Sequence, residues 1–299
     1  MAWPTTWVPA PPPPPGRMTH LGLEQIRQGI GYYRLALILQ LVATAVSGAL
    51  LGFSAGGGEV VAGFDSSATP SPAVSGAIQT AVSGVTGLLG LVALIVIIFS
   101  WIRWREGAET LKTWAGEFGP GPAGIARRVR SDVTATAVTW IVLFVASIAA
   151  VVAIAAVVIS SVFSSVNSTA GSSSTSDALT PALQGELVAI LFVLVVLATG
   201  LTLLMYAFAT RSHLDALASY ATPLERLRAA NARRIILLGA ALGFLSLIGL
   251  FFSYTGILAA VPAALLVYGY VELTGTYDSV LARPVQPDPM ARPAERLLF

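Results

Sequence analysis

No cysteine occurs in the 299 residues, which excludes disulfides, thiolate metal sites and a cysteine nucleophile. Lysine occurs once against sixteen arginines, histidine twice, and charged residues of every kind make up only 11% of the chain. Recognisable catalytic patterns are scarce as well. No Gly-rich loop ends in Gly-Lys-Ser/Thr, no serine is read as the nucleophile of a Gly-x-Ser-x-Gly elbow, and no carboxylate pair lies in an apolar stretch. Neither His-x-x-x-His nor Glu-x-x-His spacing accompanies His20 or His213, so both read as solvated histidines and no metal is expected. An enzyme is disfavoured on these grounds, and no catalytic residue or cofactor is assigned.

What is present is apolarity: 55% of the residues are hydrophobic, the signature of a polytopic membrane protein. Five uncharged or nearly uncharged stretches run from Leu35 to Ser54, Ala81 to Ile102, Ala135 to Phe163, Leu187 to Thr210 and Ile235 to Ser253. Each reaches the ~20 helical residues that cross ~30 Å of hydrocarbon. A sixth, Gly256 to Leu273, is shorter and carries Pro262 and Glu272, so hydropathy leaves it open.

Charge decides the count. Ala55 to Thr80 and Ser164 to Glu186 hold no Lys or Arg, whereas Arg103 to Asp132 holds six and Arg211 to Arg234 five. The remaining cations are Arg17, Arg27 and Arg34 before the first stretch and Arg283, Arg292 and Arg296 after the last. Basic loops stay in the cytoplasm, so both termini belong there and the number of crossings is even. Six crossings place all seventeen cations and eleven of fifteen acidic residues inside, +6, against −4 outside. The pI near 9.1 is then a topology signal and not a mark of nucleic-acid binding, because the arginines sit in short segments next to lipid headgroups.

Residues 1–20 read as a disordered Pro-rich cytoplasmic tail, with Pro11 to Pro15 favouring polyproline II. Residues 21–282 form the membrane domain and 283–299 a second cytoplasmic tail. The first apolar stretch is too long, and starts too late, for a cleavable signal peptide. Apolar residues recur at helical spacing next to three stretches: Leu23, Ile26, Ile30 and Tyr33; Trp104, Ala108, Leu111, Ala115 and Phe118; and Leu214, Leu217, Tyr220 and Leu224, where Pro223 interrupts. They predict short amphipathic helices, lying either flat at the headgroups or packed as extensions of the spans. The two larger basic segments align at an offset of 106, Glu109 to Ala115 with Asp215 to Ala221 and Ala126 to Arg128 with Ala232 to Arg234, a hint of parallel duplication.

Within the apolar stretches the one ionisable residue is Glu272, with Tyr268 and Tyr270 beside it. An intramembrane carboxylate marks either a proton or cation site or a structural pair near the interface, here with Arg234. Thr44, Ser47, Thr199, Thr202 and Ser246 are the polar residues that could line a pathway. Gly48 and Gly52, and Gly239 and Gly243, form Gly-x-x-x-Gly pairs, and Gly84, Gly87 and Gly90 give the second stretch a small face, all suited to close helix packing. Trp101, Trp104, Tyr32, Tyr33, Tyr206 and Tyr254 fall near span ends, as an aromatic belt would. Asn167-Ser168-Thr169 matches a glycosylation sequon in a Ser-rich external loop.

The stretch Gly22-Leu23-Glu24-Gln25-Ile26-Arg27-Gln28-Gly29, opening onto an apolar span, resembles the start of an archaeal multi-pass membrane family of unknown function, and the resemblance extends over residues 20 to 282. It implies an archaeal cytoplasmic membrane and transfers no functional residue. The expectation is therefore an all-α polytopic bundle of six transmembrane helices with short cytoplasmic amphipathic helices. Its partners would be the lipid bilayer and other membrane proteins or further copies of itself, with no nucleic acid. A structural or partner-binding role is expected, and the alternative is a small-solute transporter or channel, oligomeric in one form of that reading.

Overall fold

A computed structural model describes residues 16–56, 72–115, 120–168, 176–249 and 256–285. They form six α-helices: α1 Arg17–Gly56, α2 Pro72–Ala115, α3 Pro120–Ser168, α4 Ser176–Leu217, α5 Pro223–Gly249 and α6 Gly256–Leu281. Three begin at proline, whose fixed φ and missing N–H suit the first helical position. α5 has a complete capping box besides. Thr222 donates its backbone N–H to Glu225 Oε2 at 2.7 Å, and the Glu225 N–H returns to Thr222 Oγ1 at 3.3 Å.

α1 to α4 run 40 to 49 residues each, about 60–70 Å at ~1.5 Å per residue and twice the thickness of a bilayer core. The first two segments predicted as separate amphipathic helices are the continuous ends of α1 and α2, whereas the third is split between the end of α4, a turn and the start of α5. The first two stripes point inward, with Leu23, Ile26 and Ile30 and Trp104, Ala108 and Leu111 buried; in the third Leu217 is buried but Leu224 is exposed. Of the two arrangements left open by the sequence, packing on neighbouring segments is the one observed. Headgroup-level helices would have left those stripes exposed.

Each helix packs on its sequence neighbours and α6 returns to α1, closing a ring in chain order. The core of the ring lies at the end that carries the basic residues, and the helix start at Arg17 and the helix end at Leu281 meet there. His20 Nε2 donates to the Leu281 carbonyl at 3.1 Å, and Arg27 pairs with Asp278.

Away from that end the pattern inverts. Val85, Leu88, Val92, Ile95, Phe99 and Ile102 make an exposed apolar stripe along α2, and Val138, Ile141, Val142, Val145, Ile148 and Val152 make another along α3. Water does not tolerate such surfaces at this size. Among the described residues three stretches, Arg17–Val46, Gly84–Trp114 and Gly124–Ala146, are long and apolar enough to cross a membrane. Together with the outward stripes they give the protein a membrane location.

Glycine sets the closest helix approaches. A Cβ on Gly107 would lie 2.5 Å from the Gly22 carbonyl oxygen and 2.9 Å from the Ile26 nitrogen, and one on Gly29 would lie 2.8 Å from the Ser100 oxygen. Gly22 and Gly29 are seven residues apart, as are Ser100 and Gly107, so two heptad-spaced small faces meet antiparallel. Ser100 Oγ fastens them by donating to the Gly29 carbonyl at 2.7 Å. On the other side of the ring Gly239 sits under Pro262 and Leu265, and Gly269 under Ile236. A Cβ added at Gly243, or at Gly84, Gly87 or Gly90, would meet no neighbouring atom within 4 Å. The surroundings of Gly48 and Gly52 lie outside the described residues.

The duplication hint does not carry into the helix ends. Thr113 to Ala115 close α2, whereas their partners at offset 106, Ser219 to Ala221, lie in the turn after α4. Residues 1–15, 57–71, 116–119, 169–175, 250–255 and 286–299, and the side chain of Asn167, lie outside what is described.

Candidate functional site

The most elaborate constellation in the protein fills the ring at its basic end. Tyr33 of α1 donates its hydroxyl to Tyr206 of α4 at 2.9 Å, and its ring meets that of Tyr270 of α6 edge-on at 5.0 Å between centroids. Two turns further toward the basic end, His213 of α4 stacks on Trp104 of α2 at 4.5 Å and 10°, and shares a hydrogen bond between Nδ1 and the Tyr277 hydroxyl at 3.3 Å. Edge-on and stacked pairs of this kind add ~0.5–1.5 kcal/mol beyond the area they bury. Four helices thus contribute one interlocked aromatic plug.

Little space remains inside it. A cavity bordered by Ile30, Ser100, Trp104, Met205, Tyr206 and His213 leaves about 10 Å³ for the centre of a water molecule. That is room for about one water and for nothing larger. The Trp104 indole N–H is buried there without a hydrogen-bond partner in the protein.

His213 was expected to be solvated. It is 2% exposed, and burial lowers its pKa from the ordinary 6.5 to about 3, so the imidazole is neutral at any physiological pH. Sequence spacing gave no warning: Ser212 and His213 follow Arg211, and a polar triplet at a span end reads as solvent-facing. Its burial follows from helix phase, because His213 lies seven residues after Tyr206 and so on the same inward face. Trp104, Tyr33 and Tyr206, expected in an outer aromatic belt, likewise face the interior, whereas Tyr32 is exposed.

Polar locks surround the plug. Arg283, beyond the end of α6, donates to the Tyr220 carbonyl at 2.6 Å and pairs with Glu225, so it holds the turn between α4 and α5 against the end of α6. Burial pushes the Glu225 carboxyl up, but hydrogen bonds from Arg283 and from Thr222 outweigh it and hold the pKa below its usual value. Arg130 Nε meets Glu109 Oε1 at 2.6 Å across α2 and α3. Arg211 Nε lies 3.5 Å from Asp132 Oδ2, an attraction without hydrogen-bond geometry, since that buried oxygen has no hydrogen-bond partner.

The residues singled out for transport are not brought together. Tyr270 is buried in the plug, Tyr268 is 53% exposed on the opposite face of α6, and Glu272 is half-buried with no ion pair among the described residues, to Arg234 or to any other cation. Thr44 and Thr202 each return their hydroxyls to the carbonyl four residues back in their own helix. Ser47 and Ser246 lie outside the described side chains. The string Gly52-Phe53-Ser54-Ala55-Gly56, overlooked among the catalytic patterns, does have Gly-x-Ser-x-Gly spacing. It closes α1 as continuous helix, whereas a nucleophile elbow needs a strand-to-helix turn. No group of three or more potential metal ligands occurs among the described residues.

Comparison with protein families, curated proteins and solved structures finds no match to this chain. The functional reading therefore rests on geometry.

Proposed function

We propose that this chain is a six-span integral membrane protein of the cytoplasmic membrane, both ends on the cytoplasmic side, with a structural or partner-binding role and no catalytic activity of its own. The observation that carries the reading is the closure of the ring by the aromatic plug at the basic end. A conduit needs a continuous wet path, and a plug of four helices with space for about one water offers none at that level. Packed helix ends projecting from the bilayer give a rigid cytoplasmic head on which other proteins, or further copies of this chain, can assemble. The archaeal setting implied by the resemblance of residues 22–29 belongs to this proposal.

The test is flux. Purified protein reconstituted into vesicles should leave the leak of protons and of entrapped small solutes equal to that of protein-free vesicles. Half-buried and without an ion pair among the described residues, Glu272 supports the second reading, a small-solute transporter or channel. A saturable flux abolished by Glu272→Gln would establish that reading and overturn the first.

A further inference from the structure

We propose that the cleft between α2 and α3 at the basic end is a binding site for a single anionic phospholipid. The cleft is an open groove of about 870 Å³ whose upper part is formed by Lys112, Arg127, Arg130 and Ser131, and whose floor is Ala135 and Val138. Its charge is not spent internally. Arg130 is held by Glu109, which neutralises the only carboxylate paired at the rim, while Lys112 and Arg127 have no acidic partner among the described residues. Two cations and a hydroxyl converge on one opening, the chemistry that receives a phosphodiester.

The floor determines which phosphodiester. Below Val138 the exposed residues Ile141, Val142 and Val145 continue the same surface of α3 as an unbroken apolar track. A ligand whose phosphate sits between Lys112 and Arg127 would lay its remaining length along that track, which fits the hydrocarbon chains of a lipid and leaves free phosphate without half of the contacts. Basic clefts between helices on the cytoplasmic side of a membrane are where anionic headgroups are held. The inference rests on the membrane placement proposed above, and carbonate extraction of native membranes tests that placement separately.

The full-length protein in detergent, titrated with phosphatidylglycerol and monitored by native mass spectrometry, tests the site. Phosphatidylglycerol should be retained over phosphatidylcholine, and Lys112→Gln with Arg127→Gln should weaken its retention on the order of thirtyfold, the loss expected for two headgroup–cation contacts. Arg228→Gln with Arg233→Gln on α5 removes the same charge elsewhere and should leave retention unchanged. Unfolding midpoints verify that both double variants are folded. If the first is not, Arg127→Gln alone, at an exposed position, should weaken retention roughly fivefold. Equal losses in the two double variants would reduce the site to diffuse surface attraction, and undiminished retention in the first would remove it. Glycerol phosphate competing as well as the whole lipid would show a phosphate site that ignores the hydrocarbon chains, which also overturns the proposal.

Discussion

Acidification from pH 7 to pH 5 should loosen this protein through one side chain, His213. Its imidazole is held neutral in the fold, with a pKa of about 3, but takes up a proton at the ordinary 6.5 once the plug is disrupted. Between those two values the unfolded chain binds the additional proton, so stability is complete above pH 6.5 and declines as pH falls toward 3. At pH 5 the gap already spanned is ~1.5 pH units, equivalent to about 2 kcal/mol. For a chain of 299 residues that corresponds to a drop of about 3 °C in the unfolding midpoint. The tryptophan signal of the detergent-solubilised protein reports it directly, because His213 stacks on Trp104. His213→Phe keeps a ring against Trp104 and removes the titrating group. It should start lower at pH 7, having left the Tyr277 hydroxyl without its partner, but lose little more at pH 5. Parallel pH slopes for the wild type and His213→Phe would refute the reasoning, because they would show that no buried neutral histidine governs acid stability.

Glycine packing gives a paired prediction. Gly107→Ala forces a methyl group against backbone atoms at 2.5 and 2.9 Å and should destabilise by ~1–3 kcal/mol, whereas Gly90→Ala, at an open helical position, should be neutral or stabilising by up to ~1 kcal/mol; unfolding midpoints of the two variants decide it. Thr222→Ala removes the α5 cap and should cost about 1 kcal/mol, with faster limited proteolysis in the turn between α4 and α5 as the readout. Because the Glu225 pKa is depressed, its contribution is present above the ordinary carboxylate range and lost as pH falls below it. Glu225→Gln should therefore flatten stability below pH ~4.5 without changing the pH 5–7 slope assigned to His213.

The sequence makes the helical class and the apolar faces readable because charge is so scarce that each run of twenty uncharged residues stands out. The Leu23, Ile26 and Ile30 stripe was visible for the same reason. Whether that stripe met lipid headgroups or other helices was not, since both environments reward the same spacing. Ring closure was equally hidden: it depends on contacts such as His20 to Leu281, 261 residues apart, which no local pattern encodes. The capping box in Thr222-Pro223-Leu224-Glu225 was legible, but Pro223 drew attention as a helix breaker when it marks a helix start. The glycines that matter most, Gly22, Gly29 and Gly107, escaped because they are spaced by seven or stand alone, whereas a search for Gly-x-x-x-Gly selects spacing of four. The aromatic plug was misplaced into a belt because Trp and Tyr near a span end satisfy the interface and the interior equally well, and only the inward phase shared by Tyr206 and His213 separates them.

Topology can be measured without background, since the wild-type chain has no thiol to label. Val285 is exposed just beyond α6, so Val285→Cys presents one accessible thiol at the basic end, and Ser67→Cys samples the loop assigned to the opposite face. With a membrane-impermeant maleimide on intact cells, Ser67→Cys should react at once and Val285→Cys only after permeabilisation. Labelling of position 285 from outside unbroken cells would contradict six crossings with a cytoplasmic head.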